Sequence, residues 1–506
     1  MMPAVKANSG MLLSVLMDGI ANVVTEDDRE ITSIQIDSRL VAAADMFIAM
    51  PGTVSHGLSY LSAVVEAGAS CVIFDKEAEA GFSELLKKYQ EQVVLIEVDS
   101  VLDVAGVVID RFYDKPSSKM QVVGITGTDG KTSVSRFIAQ LLNDDMKSAV
   151  IGTTGNGLWG DVKETTHTTP DVLSLHKLMA ELKDHKAALV SMEVSSHGID
   201  QQRIGGVEID TAVLTNVSRD HLDYHGSEEN YRQVKKQLFR QKSVKNIVLN
   251  LDDATGVELL EELESEKNVW GYSLNSSSHG LKNSVYVESL DVEGDGYTVV
   301  VVTPAGKADL YVPLLGRFNV SNVLSALCVM LINNVELKIA IERIAALKTA
   351  PGRMELFSAK KMPSVVVDYA HTPKALEMAL LAVSEHCAGK LWCVFGCGGD
   401  RDIGKRSLMG MVAERLSDFV ILTNDNPRSE KSSSIIDQIL SGFNSQKNID
   451  VITDRSEAIQ YVCKHAAVGD VVLLAGKGHE EFQIVGNNKI PFSDRREVRK
   501  YIGGMH

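Results

Sequence analysis

Apolar positions along the chain gather into short runs, and nearly every run ends in a cluster of polar residues. Over residues 1–112, Ser33–Ile36 leads into Asp37-Ser38-Arg39, Met46–Met50 into Pro51-Gly52, Cys71–Phe74 into Asp75 and Val93–Val98 into Asp99-Ser100. Runs of this length bounded by turn residues predict strands alternating with helices, hence a small α/β domain. Its polar stretches IDSR and FIAMPGTVSHG read most simply as turns. DKPSSK (114–119) has linker composition and closes the domain.

Residues 113–350 form the second predicted domain. Val122, Val123 and Ile125 lie in an apolar run that turns through GTDGKT; beyond it, Val134, Phe137, Ile138, Leu141 and Leu142 recur at helical spacing. The reading is strand, loop, helix. AALVSMEV (187–194), TAVLTN (211–216) and VKNIVLN (244–250) are further strands. From 283 to 315 the period falls to two, with turns at EGDG and PAGK, so a β-meander interrupts the α/β alternation. GRFNVSNVLSALCVMLI (316–332) is a buried helix with polar Asn319 and Asn322 near its start. The third domain, 351–506, follows Pro351-Gly352-Arg353 and alternates strand and helix regularly, the pattern of a parallel, Rossmann-like sheet.

Composition changes this picture little. The 506 residues suffice for about three domains, each with its own core. A net charge of −16 argues against nucleic acid or an anionic membrane as partner of the whole surface. The six cysteines lack metal-ligand spacing, which is the usage of a reducing compartment, and MLLSVLM near the N-terminus is too short to span a bilayer. A cytoplasmic protein without membrane insertion is expected.

The loop carries the first chemistry. Gly127 and Gly130 let backbone N–H groups close around phosphate oxygens, Lys131 supplies a point charge, and Thr132 a hydroxyl for Mg²⁺. The general phosphate-loop pattern wants glycine where Ile125 stands, so the match is to a shorter loop. Glu193, at the end of a strand beside it, is a candidate Mg²⁺ ligand. Asp220, His221 and Asp223 are either a metal-binding group or caps of the helix that follows.

In the third domain four strands end in polar clusters. VVVDYAH (365–371) brings Asp368 and His371; WCVFGCGGDRD (392–402) brings Arg401; FVILTNDNPR (419–428) brings Asp425, Asn426 and Arg428; DVVLLAGKGHE (470–480) brings Lys477, His479 and Glu480. Ligands of open α/β sheets bind outside the carboxyl ends of the strands, so these clusters should converge on one crevice.

GTDGKT, MEVSSHG, NVSRDHLDYHG, GRFNVSN, PGRME, DYAHTP, GCGGDRD with GKR, DNPR and AGKGHE, in this order, resemble the motifs of the Mur ligases across nearly the full chain. Within the family the resemblance is to the branch that adds the third residue of the peptide stem. It implies an ATP-dependent amide ligase of peptidoglycan precursor synthesis that works through an acyl phosphate, with Mg²⁺ (two ions) as cofactor. It implies that Gly127, Thr128, Asp129, Gly130, Lys131, Thr132 and Ser133 hold ATP, approached by Asn319, Asn322 and His371. Metal ligands would be Thr132, Glu193, His221 and Lys235, the last as a carbamate; taken alone, a lysine in QVKKQ is a solvated helix face. The UDP-sugar dipeptide would meet Ile36, Ser38, Thr53, Val54 and Ser55, then Thr168, Thr169, Ser195, Gln201 and Arg203. The amino acid would meet Arg401, Asp425, Asn426, Pro427, Arg428, Gly476 and Glu480. DNPR resembles the version that takes meso-diaminopimelate rather than L-lysine, because arginine offers a fork to the extra carboxylate. Asp129 stands where the family usually has asparagine. Small-molecule substrates and a monomer are expected. The rivals are a lysine-adding ligase, folylpolyglutamate synthase, and a P-loop ATPase without ligase activity.

Overall fold

In the computed structural model, which describes residues 10–52, 55–165, 167–275, 280–445 and 447–502, strands form at the predicted apolar runs. The chain divides into two compact units, 1–131 with 142–269, and 132–141 with 270–506.

The first unit opens with a four-stranded parallel sheet, β1 (Ser33–Gln35), β2 (Asp45–Ile48), β3 (Cys71–Asp75) and β4 (Val94–Val98), in sequence order. Helix α1 (Val101–Phe112) follows, with Ser100 accepting from the Asp103 amide at its start. The IDSR stretch is a turn: Asp37 accepts from the Arg39 amide and guanidinium. The N-terminal MLLSVLM segment is a short strand and one helical turn whose Leu13, Leu16 and Met17 sit in the core.

The phosphate-loop sheet begins with β5 (Gln121–Thr126) and helix α2 (Lys131–Leu142). It continues through β6 (Ser148–Gly152), the hairpin strands β7 (Gly155–Leu158) and β8 (Asp161–Lys163), β9 (Leu189–Glu193), β10 (Thr211–Leu214) and β11 (Asn246–Asn250). The spatial order is β8-β7-β6-β9-β5-β10-β11. The loop-bearing β5 thus lies between β9 and β10, parallel to both. This register delivers Glu193 and the Thr215-Asn216 pair to the same sheet edge as the glycine loop.

In the second unit, β12 (Ser284–Glu293), β13 (Gly296–Thr303) and β14 (Gly306–Val312) make the expected antiparallel meander. Helix α3 (Arg317–Ile332) is buried along most of its length, including Asn319 and Asn322. The C-terminal sheet contains β15 (Glu355–Phe357), β16 (Ser364–Asp368), β17 (Leu391–Phe395), β18 (Phe419–Leu422), β19 (Ile449–Val451) and β20 (Val471–Ala475). Their spatial order is β15-β16-β20-β17-β18-β19, parallel throughout except for β15. Helices cover both faces, including α4 (Pro373–Ser384) and α5 (Gly404–Leu416) on one side and α6 (Arg455–His465) and α7 (Asp494–Arg499) on the other.

β20 sits at the centre of this sheet and is wholly buried, so each of its side chains packs against a helix layer. Leu473→Ala is expected to destabilise the protein by about 2–5 kcal/mol through lost burial and the cavity left behind. Thermal unfolding would measure this; an unchanged melting temperature would contradict the packing described. All six cysteines are free, and all but Cys387 are buried. Among the described residues no helix is long and apolar enough to cross a membrane.

Candidate active site

The glycine loop is built by its neighbours. Gly127 has φ +149°, and a Cβ there would lie 1.9 Å from Thr215 Oγ1; Gly130 is left-handed at φ +84°. Only glycine meets both demands. The loop is stitched to the end of β10: Thr128 N–H donates to the Asn216 carbonyl (2.7 Å), Asp129 N–H to Asn216 Oδ1 (3.1 Å), and Thr215 Oγ1–H to the Asp129 carbonyl (2.6 Å). Ser218 N–H donates to Thr128 Oγ1, which also meets Tyr231 Oη at 3.2 Å. The Asp129 side chain itself is exposed, so it is the peptide group of this residue that the fold uses.

Two lysines converge on one carbonyl. Lys131 Nζ donates to Gly127 O and Thr128 O (both 2.8 Å), and Lys235 Nζ donates to the same Gly127 O at 2.7 Å. Lys235 lies 1% exposed on the helix Glu228–Lys236, with its nitrogen 4.5 Å from the centre of the Tyr231 ring. It is therefore not a solvated helix face. Burial, reinforced by the like charge of Lys131, holds its ammonium well below the usual lysine range.

Glu193 is buried at the end of β9 and accepts from Thr153 N–H (2.8 Å) and Thr153 Oγ1–H (3.1 Å). Thr168 joins through Thr153, hydroxyl to hydroxyl at 3.0 Å. Thr169 Oγ1 donates to the Glu193 carbonyl and accepts from Ser195 N–H, each at 3.0 Å. Arg203 donates to Gln201 Oε1 and to the Thr169 carbonyl. Five residues predicted for the sugar-peptide substrate thus form one hydrogen-bonded group beside Glu193. Ile36, Ser38 and Ser55 are half-buried in the N-terminal region, Ser55 facing Tyr60 Oη at 2.9 Å; Thr53 and Val54 lie outside the described residues.

Asp220, His221 and Asp223 are exposed, and the following helix is capped by Ser227, which accepts from Asn230 N–H. The cap of the helix Glu228–Lys236 is thus Ser227 rather than the acidic cluster, while Asp223 lies in the first turn of the short helix Leu222–His225. His221, left-handed at φ +50°, packs edge-on against His197 with ring centres 4.9 Å apart. Among the described residues no three His, Cys, Asp or Glu side chains form a ready metal cage.

In the second unit, Thr132 and Ser133 are buried in the first turn of α2. Asn319 Nδ2 donates to the Leu315 carbonyl and Asn322 Nδ2 to Asn319 Oδ1, which ties the start of α3. His371 Nδ1 bonds the Tyr369 carbonyl at 2.9 Å. Arg353 stacks over the Tyr369 ring at 4.7 Å. His479 packs against that ring too, and burial, then Arg353, pushes its imidazole down to about 4.

The strand-end clusters of the C-terminal sheet do converge. Asn426 Nδ2 donates to Glu480 Oε2 (2.9 Å), and Asn426 Oδ1 accepts from Ile484 N–H (2.9 Å) and Lys477 Nζ (3.2 Å). The buried Lys477 also reaches Glu480 Oε2 at 2.8 Å. Gly476 has φ +115° and leaves room for Asp425 Oδ2, 2.6 Å from where a Cβ would stand. Burial pushes the Asp425 carboxyl up. Pro427 is buried, and Arg428, left-handed at φ +51°, donates from Nη1 to the Gly399 carbonyl at 2.8 Å. Arg401 is exposed on the loop after β17, where Gly398 separates it from the Arg428 guanidinium. Thr215, Asn216 and Tyr231 were not singled out as ligand or loop-holding residues in the sequence. Only the polar ending of TAVLTN signalled the first two.

A glycine loop between a central parallel strand and a helix, with a second α/β sheet carrying charged strand ends, defines a nucleotide-binding α/β enzyme. Family models match three segments: the Mur ligase family catalytic domain over 30–113, the Mur ligase middle domain over 125–330, and the Mur ligase glutamate ligase domain over 352–478. The chain belongs to the Mur ligase family, whose members are ATP-dependent. It is 42% identical over 493 residues to the UDP-N-acetylmuramoyl-L-alanyl-D-glutamate–2,6-diaminopimelate ligase of Coxiella burnetii, covering 97% of this chain and 99% of the relative. The Pseudomonas aeruginosa protein of the same name is 42% identical over 476 residues, 94% of this chain and 96% of its own. A solved structure of a ligase of that name superposes with a TM-score of 0.74 at 34% identity, covering 97% of this chain and 99% of that one.

Proposed function

We propose that the protein joins meso-diaminopimelate to the D-glutamate γ-carboxylate of UDP-N-acetylmuramoyl-L-alanyl-D-glutamate, at the expense of ATP, in the cytoplasm. The observation that carries this reading is the convergence of Asp425–Arg428 with Gly476–Glu480. The two segments supply an arginine, a carboxamide and a carboxylate, a set suited to an amino acid with an additional carboxylate. A carboxylate is a poor electrophile; phosphorylation gives it a leaving group, and the amine of the incoming amino acid displaces phosphate through a tetrahedral intermediate. The enzyme contributes alignment and charge neutralisation.

In this reading Gly127–Lys131 cradle the polyphosphate, with Lys131 on the transferring phosphoryl group. Thr168, Thr169, Ser195, Gln201 and Arg203 orient the peptide stem. Magnesium, a hard cation, suits the oxygen of Glu193 and of a carbamylated Lys235, with His221 as an additional ligand; when bound it neutralises phosphate charge. Because its ammonium is depressed, Lys235 is poised as the neutral amine, the form that adds CO₂ with release of a proton, and the resulting carbamate would face Lys131 as an opposite rather than a like charge.

Phosphate release with ATP, Mg²⁺ and the UDP-dipeptide, compared for meso-diaminopimelate, L-lysine and no amino acid, tests the proposal. Release with diaminopimelate alone, plus a tripeptide product, is expected; equal release in all three would indicate an uncoupled ATPase. Arg428→Ala is expected to raise KM for diaminopimelate by about 10–100-fold, the worth of a charge-assisted pair, while KM for ATP stays unchanged. Unaltered diaminopimelate kinetics would remove the specificity argument.

A further inference from the structure

One buried ion pair lies behind the amino-acid pocket without belonging to it. Arg455, the first residue of α6, and Asp494, the first residue of α7, have side chains 1% and 0% exposed. Arg455 Nε and Nη2 donate to the two Asp494 oxygens, both at 2.7 Å, a bidentate fork. The rest of the guanidinium is spent on two main-chain groups. Nη2 donates to the Ala475 carbonyl at 2.9 Å, and Nη1 reaches the Asn424 carbonyl at 3.4 Å. Ala475 ends β20 and directly precedes Gly476; Asn424 follows β18 and directly precedes Asp425.

We infer that Arg455, held in plane by Asp494, is a positioning residue for amino-acid recognition, because it links the peptide groups immediately before Asp425–Arg428 and Gly476–Glu480; this rests on the reading of that pocket given above. Three observations support it. β18 and β20 are not neighbours in the sheet, since β17 runs between them, so no strand-to-strand hydrogen bond sets the spacing of their ends. A buried ion pair is seldom worth more to stability than well-packed apolar side chains of the same volume, so a fully buried arginine points to geometry rather than to folding energy. Only a planar guanidinium can grip a carboxylate with two N–H groups and still offer others to two carbonyls; an ammonium on a flexible stem cannot. The Arg455 charge also acts on Asp425 and Glu480, the two acids of the pocket.

The test is a comparison of Michaelis constants in Arg455→Lys, which keeps the charge but loses the fork, and in the double variant Arg455→Met/Asp494→Leu, which removes both charges and keeps the volume. The wild type first establishes which amino acid it accepts. Both variants are expected to raise KM for that amino acid tenfold or more, with KM for ATP and for the UDP-dipeptide within twofold of wild type. If Arg455→Lys does not fold, the double variant decides. Amino-acid KM within twofold of wild type, or parallel rises for all three substrates, would overturn the positioning role while leaving the ligase reading intact. A wild type whose ATP turnover depends on no amino acid would overturn both.

Discussion

Lys131→Ala is expected to abolish ATP-dependent phosphate release and ligation together, with a fall in kcat of about 10³-fold or more. The side chain stands at the first position of α2, and its nitrogen is held by the Gly127 and Thr128 carbonyls of the loop it serves. Its charge is therefore already at the phosphate cradle before any phosphoryl group moves, the condition under which an electrostatic contribution is largest. Trapping the acyl phosphate with hydroxylamine would separate the two half-reactions; no hydroxamate is expected from the variant. The fold should survive, because Lys131 is only half-buried and no core side chain is lost. A variant that still formed hydroxamate at the wild-type rate would mean that the loop is not the phosphoryl-transfer site. The change also has an electrostatic side effect: with the positive charge of Lys131 gone, one cause of the depressed Lys235 ammonium disappears, and that amine becomes more basic.

Lys235→Ala is the second large effect. Loss of at least two orders of magnitude in kcat is expected, with partial recovery on adding short carboxylic acids such as formate or acetate. The physical basis is specific to the site. A cation in a buried position beside another cation is unfavourable. Addition of CO₂ to the neutral amine, with loss of one N–H proton to solvent, gives an anion with two oxygens, and a small carboxylate can occupy the space left by alanine with the same charge and donor atoms. Formate rescue at neutral pH, absent for a neutral amide of the same size, is the outcome that supports the carbamate. Full activity in the unrescued variant would refute it. The helix should tolerate alanine by propensity, so a collapse of the fold would reflect only the loss of the contacts with Gly127 and Tyr231.

How far these sites could be read from the chain depends on how local their chemistry is. GTDGKT was legible because glycines, lysine and threonine act at adjacent positions between a strand and a helix. The DNPR and GKGHE clusters were legible because polar residues at the ends of apolar runs must gather at one edge of a parallel sheet, and they do. Asn216 and Thr215 escaped notice because their work on the loop depends on β10 lying beside β5, a pairing of segments about 90 residues apart that no local pattern announces. Lys235 was ambiguous for a related reason: its helix carries charged residues on most sides, and only the packing of Tyr231 and the loop removes this one from water. Arg455 and Asp494 look like ordinary first-turn residues of two helices. Their bidentate contact joins positions separated by 39 residues. In IDSR the simplest local reading, a turn, describes Asp37 and Arg39 as they stand.

The strand order of the C-terminal sheet also constrains how the protein is made. β20, its last-synthesised parallel strand, lies between β16 and β17, which leave the ribosome much earlier. Until residue 475 emerges, those two strands have no native neighbour on their facing edges and expose unpaired backbone N–H and C=O groups to other chains. The centre of this sheet can therefore close only after β20 has been made, and nascent chains that carry β16 and β17 without it are the ones most in need of a chaperone.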